Sequence, residues 1–321
     1  MRIFIPPILP GKPTLDILGG NTQIFQGDAM SVQKFIVSKL ADADFIVVPH
    51  DAAFWSKEYE LKLCELSDTK PIVYFNRSDF PLNVQIPNSY SFQNHLSLHD
   101  QSNQIIIPYN VKKIKNSKKR EYSPLPVVSF VGYVPNFISR GTLLHLKSDF
   151  PVGLWNNPSV VRKLGLKRIT TCKLPTIVET RSHYGGAKSL VLRPKTFRSE
   201  FEASIKNSDL IFCPRGTGNS SQRFYEALSA GRIPVVPDTK IVFPKYPGIN
   251  LDDFLIFTSP FSLRIKSDVM KFWSKLNSSS YFDLQEYLIF HVWRRLSYNS
   301  YISYLFQELA TGNHLEAFIS Y

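Results

Sequence analysis

The sequence predicts an α/β protein made of two tandem domains, each built around a parallel sheet. Short apolar runs recur at RIFI (2–5), DFIVV (44–48), PIVYF (71–75), QIIIP (104–108), VVSFVG (127–132), DLIFC (209–213) and IPVV (233–236). Each has the length and composition of a strand buried on both faces. Stretches of helical spacing lie between several of them, giving a βαβ alternation with right-handed crossovers. Between the two sets, KKIKNSKKREYSPLP (112–126) has no periodicity, is densely basic and ends in two prolines, so it reads as a solvated connection.

The expected domains are therefore 1–111 and 127–280, with 112–126 as linker and 281–321 as a helical segment packing across both. In the first domain, Phe35, Ile36 and Leu40 give 31–40 a helical spacing, and AAFWSKEYELKLCEL (52–66) repeats it before the third strand. In the second, helices are expected at 141–147, around Phe197, Phe201 and Ile205, and after the strand that ends at Cys213. From Val269 onward the pattern is helical, and its many aromatic residues, Trp293 and Tyr301 among them, have the spacing of a core rather than of a ligand surface. The segment 150–195 shows no clear period.

Composition narrows the function. A chain of 321 residues with 43% hydrophobic and 20% charged residues can bury two cores, which excludes general disorder. No run of eighteen apolar residues occurs, and MRIFIPPILPGKP is too short and too broken by proline for a secretory signal or a membrane span. Cys64, Cys172 and Cys213 are odd in number and lack CxxC spacing, which points away from a disulfide framework or a zinc site and toward a cytoplasmic protein. The net charge of +12 is concentrated in residues 112–223, where 21 Lys/Arg face 6 Asp/Glu. Such a field attracts anions, whether nucleic acid, an anionic membrane or a phosphorylated small molecule. No recognition helix or aromatic platform of a nucleic-acid module is legible, so nucleic acid is not the expected partner.

The stretch CPRGTGNSSQRFYEALSAGRIPVVPD (213–238) sharpens this expectation. Gly216 and Gly218 allow turns and close approach in a loop leaving a strand. Ser220 or Ser221 is the natural N-cap of the helix that follows, and Gly231 its C-terminal stop. A helix N-terminus flanked by Arg215 and Arg223 is a ready site for phosphate. Arg223 and Glu226 stand three apart on one face, the spacing of a surface ion pair. No Lys-Ser/Thr follows Gly218 and no third glycine completes GxGxxG, so neither a Walker loop nor a dinucleotide fingerprint fits.

Taken together, Pro214-Arg215-Gly216, the helix Ser221 to Ala227 and the strand Gly231-Arg232-Ile233-Pro234-Val235 resemble the signature of exostosin-like glycosyltransferases. ADADFIVVP (41–49), IIIPYN (105–110) and VSFVGYVPNFISRGTLL (128–144) are similar to further segments of that family, in the same order. The resemblance implies a GT-B architecture, two Rossmann-like domains facing a cleft, that transfers a sugar with inversion from a nucleotide donor, often UDP-linked. It implies that Arg215 and Arg223 stabilise the leaving diphosphate, that Ser220 and Ser221 donate hydrogen bonds to it, and that Gly216, Gly218 and Arg140 also belong to the donor site. Glu226 would hold the ribose hydroxyls, and the diphosphate would need no metal or other cofactor. The implied partners are a nucleotide sugar and a saccharide or lipid-linked glycan acceptor, the latter drawing the basic protein to an anionic membrane surface. The aromatic motif that follows the family's last strand appears here as LDDFLIF (251–257), without its usual tryptophan.

An inverting transfer also needs a general base, and such groups project from loops after the carboxyl ends of parallel strands. His50 and Asp51 follow one strand and Asp79 another, with Asp79 ranked first. Each has an ordinary alternative: Asp51 as cap of the turn at Ala52, Asp79 in a turn before Pro81. His95 and His99 have HxxxH spacing in a loop-like context and are not expected to bind metal, while Cys213 reads as a small core residue rather than a nucleophile.

Overall fold

The computed structural model describes residues 2–7, 9–10, 36–77, 84–95, 104–134, 157–181, 196–216 and 218–311. The protein is α/β, with two five-stranded, all-parallel sheets, one in each of two compact units. The first unit comprises Met1–Asn110, Val242–Tyr246 and Leu296–Tyr321, and the second Val111–Ile241 and Pro247–Arg295.

In the first unit β1 (Ile3–Phe4), β2 (Phe45–Asp51), β3 (Ile72–Asn76), β4 (Ser89–Gln93) and β5 (Gln104–Ile106) lie side by side in sequence order. The apolar runs form strands because both faces are covered: Ile46, Val48, Ile72, Val73 and Phe75 have no exposed surface. Strand β4 escapes the sequence pattern because SYSFQ carries too few apolar residues to stand out. Helix α1 (Lys57–Ser67) packs Tyr59 and Leu63 with Ile46, Val48, Ile72 and Tyr74. It begins later than the 52–66 spacing predicts, because Ser56 is extended and its hydroxyl accepts from Tyr59 N, closing off the short turn Ala52–Phe54. The helical spacing at 31–40 also misleads: Ile36 bridges Ile3 in parallel, while 31–35 lie outside the described residues.

In the second unit β6 (Val128–Tyr133), β7 (Thr176–Arg181), β8 (Leu210–Phe212), β9 (Ile233–Pro237) and β10 (Ile256–Thr258) take the order β10-β9-β8-β6-β7. The chain runs outward from β6 to β7, then returns to build β8 on the other side. The sheet therefore has a topological switch point at the carboxyl ends of β6 and β8, where open α/β sheets bind their ligands. Its helices are α2 (Pro158–Thr171), α3 (Thr196–Lys206), α4 (Gln222–Ser229), α5 (Ile265–Trp273) and α6 (Ser278–Tyr287), followed by a π-helical turn, Leu288–Trp293. Strand β7 and helix α2 fall in the segment that showed no clear period, and the helix expected at 141–147 lies outside the described residues. At the end of α4, Gly231 takes φ +70°, and a Cβ there would lie 2.9 Å from Ile289 Cδ1, so conformation and space both select glycine.

The basic stretch 112–126 is largely exposed, as a solvated connection would be, but it belongs to this unit and is held to it. Ile114 is buried, Tyr122 stacks on Trp273 at 5.3 Å, and Trp273 Nε1 donates to Ser123 O at 2.8 Å. Buried Arg232 donates to Lys118 O and to Gln285 Oε1, and Arg120 Nε donates to Asp209 Oδ1 at 2.6 Å. Non-local hydrogen bonds of this kind leave no trace in local periodicity. Asp209, 1% exposed, also accepts from Val127 N and Tyr281 OH. Asp209→Asn removes the charge that these donors share and is expected to lower unfolding free energy by about 2 kcal/mol, read as an earlier urea midpoint.

The last helix, α7 (Tyr298–Ala310), belongs to the first unit: Phe306 meets Phe92 at 6.2 Å and Tyr301 OH donates to Lys245 O at 2.7 Å. The expected C-terminal helical segment is thus divided at residue 295 between the two units. Its aromatic residues are mainly core, as Tyr281, Trp293 and Tyr301 are, although Phe282 and Phe290 are exposed. Among the described residues no helix is long and apolar enough to cross a membrane.

Candidate functional site

At the switch point of the second sheet the loop after β8 turns into α4. Cys213 N donates to Val235 O at 2.8 Å, which ties the loop entrance to β9, and Gly216 N donates to Ser220 O at 2.8 Å, which closes the loop on itself. Asn219 Nδ2 anchors the far side on Thr239 O at 2.9 Å. The amphipathic sequence of α4 buries Phe224, Ala227 and Leu228, and this fixes which way its first turn faces.

Ser221 is the N-cap by backbone conformation (φ −141°, ψ 121°), but its hydroxyl makes no capping bond. That hydroxyl is buried and has no hydrogen-bond partner. A buried hydroxyl without a partner is costly, and at a helix N-terminus it has the chemistry to meet an anion. Gly216 has no left-handed φ, and a Cβ there would stand 3.6 Å from Ser220 O, so the glycine leaves room beside the loop and is not demanded by the turn.

Arginines surround this loop. Arg223, in the first turn of α4, reaches back to β6: its Nη2 donates to Val131 O at 3.1 Å and its guanidinium lies 4.6 Å from the Phe130 ring. That path exists because residue 132 has no side chain. A Cβ on Gly132 would lie 1.9 Å from Arg223 Nη2. Arg162 on α2, only 8% exposed, joins the loop to the same strand end, donating from Nε to Arg215 O at 3.0 Å and from Nη1 to Tyr133 O at 3.0 Å. Arg215 itself is 4% exposed. The planar guanidinium offers paired donors that match phosphate oxygens.

Glu226 does not pair with Arg223 as its spacing allows. It faces α3, where Arg198 Nη1 donates to its Oε1 at 2.7 Å, because the guanidinium of Arg223 is drawn to β6. Burial pushes the Glu226 carboxyl above the usual carboxylate range, and Arg198 opposes that rise. Arg162 and Arg198 are the residues that sequence reasoning missed. Arg198 was findable as the i,i+4 partner of Glu202 on an expected helix, whereas Arg162 lies where no periodicity was legible. Gly218 and Ser220 are buried in the loop, and Arg140 lies outside the described residues. Cys213 is a core residue: it has no exposed surface and burial pushes its thiol well above the ordinary range.

The candidate bases belong to the first unit. His50, fully buried, accepts at Nε2 from Leu9 N at 2.8 Å. Asp51 accepts from Ala53 N through Oδ1, as the cap of the turn at Ala52, and from Arg77 N and Nε through Oδ2 at 3.1 and 3.0 Å. Asp79 and His99 lie outside the described residues, while His95 is buried. Among the described residues no three His, Cys, Asp or Glu side chains gather as a metal site would require.

One family model matches a part of the chain that contains α3, β8, the loop, α4 and β9. Residues 184–244 match the family model described as the RXYLT1 C-terminal domain. This span contains Arg198, Arg215, Arg223 and Glu226 together with the signature read in the sequence. Solved structures similar to the chain include the pneumococcal O-GlcNAc transferase GtfA in complex with UDP and GlcNAc, at 9% identity and TM-score 0.37, covering 84% of this chain and 56% of GtfA. Others are a glycosyltransferase from Rickettsia africae, at 10% identity and TM-score 0.43, covering 85% of this chain and 77% of that one, and Anabaena HepE with UDP and glucose, at 12% identity and TM-score 0.43, covering 97% and 99%. The chain spans 56% of the length of GtfA. No curated protein sequence matches it.

Proposed function

We propose that this protein is a glycosyltransferase of GT-B type that transfers a sugar from a nucleotide donor, UDP-linked, to a saccharide or lipid-linked glycan acceptor with inversion. One observation carries the reading: Arg162, Arg215 and Arg223 are assembled at the carboxyl ends of β6 and β8, around a helix N-terminus whose Ser221 hydroxyl is buried and unpartnered. The match of 184–244 to the RXYLT1 C-terminal domain supports it.

Departure of a nucleoside diphosphate builds negative charge on its terminal phosphate. Preorganised guanidinium and N–H donors stabilise that charge without reorganising, so no metal is needed. Arg223 and Arg215 hold the diphosphate, Arg162 fixes the loop against β6, and Ser221 donates its proton to a phosphate oxygen. Glu226, steadied by Arg198, presents its other oxygen to the ribose hydroxyls. Because His50 and Asp51 already accept hydrogen bonds within their own unit, Asp79 is the preferred base for the acceptor hydroxyl. Asp79→Asn is expected to lower kcat about 100-fold with the UDP Kd unchanged; full activity in the variant returns the role to Asp51 or His50.

A thermal-shift panel of UDP, GDP, ADP, CMP, NAD and single-stranded DNA, with and without EDTA, tests the donor assignment. Ligand at a hundred times its Kd stabilises by about 2.7 kcal/mol, so a selective shift with UDP that survives EDTA is expected. A shift with DNA alone overturns it in favour of a polyanion-binding protein. Ser221→Ala removes a hydroxyl that has no partner in the fold, so its melting temperature should not fall, while UDP affinity drops roughly tenfold.

A further inference from the structure

Two arginines beside the loop after β8 lie against one ring. The guanidiniums of Arg198 and Arg223 stand 5.3 and 6.0 Å from the Phe201 ring of α3, yet their partners differ. Arg223 donates to Val131 O of β6, whereas Arg198 donates to Glu226. Like charges brought to one ring repel, so each guanidinium has to be fixed in place by its own acceptors.

Arg198 is held on every side of its fork. Nη1 donates to Glu226 Oε1 at 2.7 Å, Nε to Glu202 Oε1 at 2.7 Å and Nη2 to Lys112 O at 3.3 Å. Acceptors on α4, on α3 and on the 112–126 stretch thus fix a planar donor group in orientation as well as position. Local helix stability does not account for this. An arginine four residues before its glutamate is the weaker order for such a pair, and with the Arg198 side chain 41% exposed the pair with Glu202 alone contributes little.

Glu226 shows what the arrangement serves. It is buried, and Arg198 engages its Oε1. Burial favours the neutral carboxyl, while Arg198 and Arg223 favour the charged form and Glu202 opposes it. Lys112 contributes its carbonyl, and Cys213, which senses the Glu226 charge from the end of β8, remains a thiol because burial pushes it well above the ordinary range. An ionised carboxylate is purely an acceptor, the form to which two ribose hydroxyls can both donate.

We propose that Arg198 is a positioning residue that gives the site its selectivity for a ribonucleotide donor: by binding Oε1 it aims Oε2 of Glu226 at the ribose and keeps that oxygen an acceptor. This rests on the reading of the loop after β8 as the donor site.

Calorimetric titration with UDP and with 2′,3′-dideoxyuridine diphosphate, from mildly acid to mildly alkaline pH, isolates the contribution. The ratio of the two affinities cancels the titration of the diphosphate that both carry. In the unaltered protein the preference for UDP is full at the alkaline end and is lost as pH falls through the raised Glu226 range, because the carboxyl holds the ribose only when ionised. Arg198→Ala raises that range further, so the loss begins at higher pH. At neutral pH this variant should bind UDP roughly tenfold more weakly and the dideoxy nucleotide as before. Arg198→Lys restores a positive charge and should return the loss part of the way. Glu202→Gln removes an opposing negative charge and leaves Arg198 to Glu226, so it should move the loss to lower pH; it carries the test if Arg198→Ala does not fold. Equal weakening of both nucleotides by Arg198→Ala, a pH dependence that it leaves unmoved, or a Glu202→Gln profile that is unmoved or shifted upward overturns the proposal while the donor site stands. Failure of the unaltered protein to bind either nucleotide overturns the donor-site reading and this inference with it.

Discussion

Arg223→Ala is expected to lower kcat/KM for sugar transfer about 1000-fold while the protein remains folded. Removing one preorganised donor to a developing oxyanion costs roughly 100- to 1000-fold in rate, and Arg223 also contributes formal charge. The fold survives because Arg223 is only half-buried, at the margin of the core, where its guanidinium donates to Val131 O and lies against the Phe130 and Phe201 rings. Steady-state kinetics and calorimetric titration with UDP check this. An unchanged UDP Kd in a variant with native circular dichroism overturns the assignment of the diphosphate to this loop.

Gly132→Ala is expected to have nearly the same consequence without touching a charged residue. The new methyl would stand 1.9 Å from Arg223 Nη2 and 3.1 Å from its Cζ, so the guanidinium must leave the end of β6. It is the far end of a flexible side chain that moves, not the strand, so stability should fall by only about 1 kcal/mol, the scale of the lost Phe130 contact. Activity should fall by 100-fold or more, because a correctly charged arginine held in the wrong place provides little preorganised stabilisation. In the double variant with Arg223→Ala the two effects should not add, since both act through one guanidinium. Additive losses would mean that Gly132 acts on something other than Arg223.

The two readings differ in kind in how far local sequence reveals them. The loop and helix of the site were legible because their determinants are local. Apolar spacing in α4 turns its buried face inward, Gly231 ends it in the left-handed region, and Arg215 and Arg223 flank the first turn wherever the helix is placed. Seven strands announced themselves because both faces are buried, whereas SYSFQ and TIVETR, less apolar, and IFT, only three residues long at the sheet edge, did not. The basic stretch 112–126 misled because its order comes from partners such as Gln285, Arg232 and Trp273, all more than a hundred residues away.

What the sequence by itself determined, then, was the α/β class, the phosphate-seeking loop and the excess of positive charge around it. What only the tertiary structure decided was which strand lies beside that loop. The order β10-β9-β8-β6-β7 brings β6 against β8, so Gly132 receives the side chain of Arg223 and Tyr133 O receives that of Arg162. The same packing assigns Glu226 to Arg198 instead of to its neighbour Arg223, and sets Ser262 beside Gly165. Periodicity encodes which face of an element is buried. Which elements meet across that face depends on contacts between residues far apart in the chain, and the sheet order supplies them.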